Sequence, residues 1–248
     1  MKILSKLKYQ LAVILVAVLI SNLANAQTNS SKLSEIHGAY YGKWYKTITF
    51  EQQTNFYRND SLKLKQTWKE AGKFPDLFRI DFGNPEMGNG LIFRGDSAYR
   101  YRKGKVVSAS IDPNILIYLL GGIYYDKLDI AKQRLTKSGF DVNKFDQRKW
   151  KDRDVYVVGA NSGDSTSNQL WYDAKNLYLV RMIRKEDGRD MDVHFEGHEQ
   201  IGKIWHENFV RVIANGKLVQ EEIYSNFKSD VPLNDDIFDP KKLVPVKE

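Results

Sequence analysis

The chain has 248 residues, no cysteine and a formal net charge of +7. The absence of cysteine excludes disulfides, thiol catalysis, a thiolate zinc site and a lipid anchor attached through an N-terminal cysteine. Its 38 basic and 31 acidic residues are interspersed, which favours solubility over one strongly charged partner surface.

The first residues read as an export signal. "MKILSKLK" places Lys2, Lys6 and Lys8 ahead of the apolar run Leu11 to Ile20, and "ANA" at Ala24 to Ala26 is a small-residue cleavage pattern. The run is about ten residues long, whereas a bilayer span needs roughly 20. Residues 1–26 are therefore expected to be a signal peptide. Residues 27–248 are expected to form a single domain, long enough for a sizeable core. The signal holds three of the positive charges, so the remainder carries +4. The expected product is a soluble periplasmic monomer with no nucleic-acid partner.

Residues 27–34, "QTNSSKLS", read as a flexible polar start. Period-2 patterning follows, the mark of a sheet with one buried and one wet face. Trp44, Ile48 and Phe50 share a face in "GKWYKTITFEQQTNFY". Leu62, Leu64 and Trp68 alternate with lysines in "DSLKLKQTWKE". Phe78, Ile80 and Phe82 alternate with Arg79 and Asp81, and Tyr99 and Tyr101 with Arg100 and Arg102. Turn signals such as "GNPEMGNG" and "RKGK" separate these runs.

The pattern then becomes helical. In "DPNILIYLLGGIYY", Asp112 is the expected N-cap and Pro113 the first helical residue. Ile115, Leu116, Leu119, Leu120 and Ile123 make this helix apolar nearly all round, and the Gly121–Gly122 pair is a candidate hinge. "DKLDIAKQRLTKSG" carries Leu128, Ala131 and Leu135 on one stripe, with Gly139 as its C-cap. Strands resume at "DVYVVGA", "NQLWYD", "LYLVRMIRK", "MDVHFEG", "KIWHENFVRVIA" and "KLVQEEIYSNF". The tail is loop-like, with Phe238 expected to plug into the body. The sum is an α+β domain, one largely antiparallel sheet of about ten strands with a helical insertion in its middle.

"DVHFEGHEQ" raises a chemical alternative. His194, Glu196 and His198 fall on alternate positions, and His206 lies on the next strand. Three such ligands can hold zinc, which makes a metal-dependent hydrolase the alternative function. The competing reading makes them the wet face of a strand, with Val193 and Phe195 on the apolar face. Gly197 can bulge the strand and spoil a shared ligand face. Other catalytic signals are thin: there is no G-x-S-x-G elbow and no phosphate loop.

The C-terminal half carries a family resemblance. "QLWYDAKNLYLVRMI" and "VHFEGHEQIGKIWHENFVRVIANGKLVQEEIYSNFKSDVPLNDDIFD" resemble the outer-membrane lipoprotein carrier family and its relatives, the LolA-like fold. "WHEN" departs from it by lacking the proline that often follows the tryptophan. The resemblance implies a curved, incomplete barrel with helices as a lid. It implies acyl chains of a lipid or lipoprotein as cargo, donor and acceptor proteins at the membranes, and neither cofactor nor catalytic residue. Trp44, Ile48, Phe50, Leu62, Leu64, Trp68, Phe78, Ile80, Phe82, Tyr99 and Tyr101 on the sheet then become candidate cavity residues. So do Leu116, Leu119, Leu120 and Ile123 on the lid. A non-catalytic interaction module with a filled core is the remaining alternative.

Overall fold

The computed structural model describes residues 32–186 and 188–246. The expected signal peptide lies outside the described residues.

The N-terminal half supplies β1 (Thr47–Arg58), β2 (Ser61–Lys73), β3 (Leu77–Phe82), β4 (Gly90–Arg94), β5 (Ser97–Arg102) and β6 (Lys105–Ile111). The C-terminal half supplies β7 (Phe145–Trp150), β8 (Arg153–Val158), β9 (Gln169–Asp173), β10 (Leu179–Glu186) and β11 (Arg189–Glu196). β12 (Glu199–Ile201), β13 (Ile204–His206), β14 (Phe209–Ala214) and β15 (Lys217–Ser229) complete the set. Thirteen strands form one sheet in the order β6-β5-β4-β3-β2-β1-β15-β14-β11-β10-β9-β8-β7, and β12 and β13 pair separately. Every pairing is antiparallel. β6 and β7 do not pair, so the barrel stays open.

The strand count exceeds the expected ten. β6 has all seven residues exposed, so it shows no buried alternation to read. β7 is half-buried and charged. "KIWHENFVRVIA" is two strands, β13 and β14, broken at Glu207 and Asn208.

Three helices cover the inner face of the sheet. α1 (32–40) takes in residues 32–34 of the expected flexible start, whose residues 27–31 lie outside the described residues. It is amphipathic, with Leu33, Ile36 and Tyr40 buried at helical spacing. α2 (Ile115–Leu120) and α3 (Leu128–Lys137) occupy the chain between β6 and β7, the two free edges. The N-cap of α2 is Asn114, two residues later than expected. Its side chain accepts from the amides of Leu116 and Ile117. The helix stops at Leu120, and Gly122–Tyr124 continue as a 3-10 turn.

Gly121 and Gly122 are close-approach positions. A Cβ on Gly121 would lie 2.2 Å from Trp44 Nε1 and 2.6 Å from Phe74 Cζ, and one on Gly122 would lie 2.7 Å from the Pro75 carbonyl oxygen. Their small size lets the lid dock against the start of the sheet. The C-cap of α3 is Ser138, one residue earlier than expected, and Gly139 follows it with positive φ, its amide donating to the Thr136 carbonyl. Phe238 is fully buried, as expected.

The main core joins inner sheet face and lid through Ile48, Phe78, Ile115, Leu119, Leu135 and Val210, among others. A smaller cluster, Val155, Val157, Ala160, Trp171 and Val180, lies around β8 to β10. It is roofed by the guanidinium groups of Arg148 and Arg181, 5.0 and 4.6 Å from the Trp171 ring centre.

Candidate functional site

A cavity of about 230 Å³ lies between the lid and the inner sheet face. Directly paired residues on neighbouring strands share a face, so register shows what points into it. One row runs Phe195 (β11), Val210 (β14), Glu222 (β15) and Thr54 (β1). A second runs Tyr224, Gln52, Trp68 and Phe82. A third runs Phe50, Glu70, Ile80 and Leu91. Leu116, Ile117, Leu119, Leu120 and Tyr124 close the cavity from the lid.

Eight of the candidate residues line it: Trp44, Phe50, Trp68, Phe78, Ile80, Leu116, Leu119 and Leu120. Trp44 reaches it from the bend before β1, its ring 4.5 Å from that of Tyr124. Ile48 and Ile123 are buried in the surrounding core. Phe82 packs on Trp68 at 4.9 Å but faces a neighbouring hollow with Gln66, Met87 and Arg100.

Four candidates lie elsewhere. Leu62 and Leu64 are 52% and 48% exposed, because the β1–β2 hairpin runs on beyond the lid. Tyr99 and Tyr101 are on the outer face: Tyr99 pairs with Ile92, and Tyr101 with Gly90, which pairs with Asp81. Tyr101 is buried there. Its hydroxyl donates to Asp81 at 2.5 Å, beside the Arg79–Asp81 fork. The C-terminal segment covers that face, with Arg79 donating to the Ile237 carbonyl.

The metal alternative is corrected by the same register. His194 lies on the outer face between Arg181 of β10 and Arg211 of β14. Asp192 is held by Arg181 through two bonds of 2.7 Å. Burial pushes the Asp192 carboxyl up, but Arg181 and His194 outweigh it and hold it at about 2. Glu196 accepts from Lys151 and Arg211, which lower its pKa against the opposing effect of burial. Gly197 has positive φ and turns the chain. His198 consequently stacks on Tyr178 at 3.9 Å, contacts the Leu179 carbonyl and lines the cavity. Burial lowers its pKa to about 4. Both carboxylates are thus committed to basic side chains, and the histidines separate. Among the described residues no group of three or more His, Asp or Glu side chains can hold a metal ion.

Sequence reasoning missed the polar floor of the cavity, which holds Gln52, Glu70, Glu207, Glu222 and Tyr224. Burial, with Glu222 nearby, raises the Glu70 carboxyl well above its ordinary value. Burial and Glu222 likewise lift Glu207 to about 7. Glu222 is raised by burial although Tyr224, Gln220 and Gln52 hydrogen-bond to it. Glu207 and Glu222 keep partial access as whole residues, and they line the cavity rather than the outer surface.

Solved structures that share this architecture include three of similar length. The outer membrane lipoprotein-sorting protein domain from Vibrio parahaemolyticus matches with a TM-score of 0.58 and 12% identity, covering 87% of this chain and 98% of its own. A LolA superfamily protein from Nitrosomonas europaea matches with a TM-score of 0.58 and 14% identity, covering 86% of this chain and 99% of its own. The chain has a LolA-like fold. A DUF1329 family protein from Desulfovibrio piger matches at TM-score 0.57 and 18% identity, over 89% and 98% of the two chains. At these identities the likeness is one of fold. No family model matches the chain, and no curated protein does. The LolA-like architecture accounts for the open barrel, for the helices across its mouth and for the cavity beneath them. Among the described residues no helix is long and apolar enough to cross a membrane.

Proposed function

We propose that the protein is a periplasmic carrier or binding protein for the acyl chains of a lipid or lipoprotein, moving them towards the outer membrane. The observation that carries this reading is the cavity under the lid, walled by Trp44, Phe50, Trp68, Phe78, Leu119 and Leu120. Burying a chain of about sixteen carbons at about 0.8 kcal/mol per CH₂ offers on the order of 10 kcal/mol before ordering costs. Binding of this kind needs no catalytic group. The lipoprotein-sorting domain among the structural matches supports the same reading through its fold. The lid connects the two unpaired sheet edges, so cargo entry and barrel width are linked by one chain segment.

The test is native mass spectrometry with lipid extraction of protein purified from its own periplasm. Co-purifying lipid or acylated protein is the expected result. A protein free of both, which also fails to take up an alkyl-chain probe, overturns the reading and leaves the interaction module.

A further inference from the structure

The cavity is a poor container for hydrocarbon alone. Glu70, Glu207 and Glu222 line it, while no lysine or arginine does. Glu70 is 7% exposed, and its Oε1 has no hydrogen-bond partner. Its place is fixed by register, between Phe50 and Ile80, both cavity residues. Glu222 sits two rows away, beyond the row of Tyr224 and Gln52, accepting from Tyr224 Oη and Gln220 Nε2 at 2.5 Å each. Glu207 and Glu70 both feel the charge of Glu222. Burying an unpaired carboxyl is costly, and an acyl chain offers it nothing in return.

We propose that the cavity recognises a protonated amine at the polar end of an acyl-chain ligand, seated against Glu70, Glu207 and Glu222. An ammonium carries three N–H donors and no acceptor, which matches a floor of three carboxyls without a base. Trp68, Tyr124 and Tyr224 also line the cavity, and aromatic rings of this kind attract a cation. The carboxyls are not arranged to hold a metal ion. The other ionisable groups facing the floor are Tyr224 on β15, Tyr124 on the lid, Tyr178 before β10 and His198 after β11. His198 is neutral at pH 7, so none of them supplies the missing positive charge. This inference rests on the carrier reading and names the head group of its cargo.

The experiment measures displacement of a fluorescent fatty probe from the whole chain by hexadecylamine, hexadecanol and butylamine at about pH 8. The expected result is at least tenfold tighter binding of hexadecylamine than of hexadecanol, the size of a charge-assisted hydrogen bond. That ratio should fall to near one in the triple variant Glu70→Gln, Glu207→Gln, Glu222→Gln. Glu70→Gln alone should lower it partway, which serves if the triple variant does not fold. Equal wild-type affinity for the amine and the alcohol overturns the inference and leaves the carrier intact. If no alkyl ligand competes, the carrier reading falls. If butylamine binds as tightly as hexadecylamine, the carboxyl–amine contact survives and the acyl-chain reading fails.

Discussion

Glu207→Gln is expected to raise thermal stability above neutral pH and to flatten the dependence of Tm on pH. Burial, with help from Glu222, moves the Glu207 carboxyl from 4.5 to about 7. A carboxyl raised on folding binds more protons in the folded than in the unfolded chain between those values. Its contribution is complete below pH 4.5 and is lost as pH rises through about 7. Glu70 and Glu222 are also raised, so they act in the same direction. His198 acts oppositely: lowered from 6.5 to about 4, it weakens the fold only as pH falls below 6.5. Above pH 6.5 the glutamates are unopposed by it.

At about 1.36 kcal/mol per pKa unit, the Glu207 shift corresponds to on the order of 3 kcal/mol. In a domain of this size that is about 6–12 °C in Tm. It is an upper bound, because water entering the cavity screens the charge. Thermal melts of delipidated protein between about pH 5 and 8 should show wild-type Tm falling towards the alkaline end, with a shallower fall in the variant. A wild-type Tm that stays flat or climbs above pH 6.5 refutes the reasoning, as does a variant that keeps the full slope.

Gly121→Ala should cost about 1–3 kcal/mol in urea unfolding, because its methyl would overlap Trp44 and Phe74 where the lid docks. Phe50→Ala should cost about 3–5 kcal/mol and weaken probe uptake, whereas Leu62→Ser and Leu64→Ser should each stay within about 0.5 kcal/mol and leave uptake unchanged. Arg181→Ala should cost about 1.5–3 kcal/mol at neutral pH by stripping Asp192 of its fork. That difference should shrink as pH falls from 3.8 towards about 2, since the contribution of a lowered carboxyl is lost on protonation. Zinc titration followed by calorimetry should give the same weak heats for wild type and for His194→Ala with His198→Ala, because the two side chains lie on different faces.

Alternation in the sequence was informative where one face is covered from end to end. Phe78 and Ile80 on β3, and Phe50 and Trp68 beside them, follow it into the cavity. It misled where cover changes along or across a strand. Leu62 and Leu64 share the parity of Trp68, but no helix extends over their end of β2. Tyr101 faces a second layer, made by the C-terminal segment on the opposite side of the sheet, and Tyr99 shares its parity. Parity alone does not say which side of a strand faces which layer. The helix α1 was legible at Leu33, Ile36 and Tyr40, whose spacing is helical, but polar neighbours masked it. Glu70 was legible as well: it shares the parity of Trp68, which puts a charged residue on the apolar face of its own strand.

The two faces of the sheet treat carboxylates differently, and the proposed head-group site rests on that difference. On the outer face three carboxylates have partners: Asp192 with Arg181, Glu196 with Lys151 and Arg211, Asp81 with Arg79 and Tyr101. Such pairs compensate their own desolvation. On the inner face Glu70 keeps an oxygen without a partner, and the nearby charge of Glu222 worsens its position. For stability alone, an apolar side chain at Glu70, between Phe50 and Ile80, would serve the fold better. A fold that pairs these outer carboxylates and leaves Glu70 with an unpartnered oxygen inside a lidded cavity has that deficit where the proposed head group would remove it.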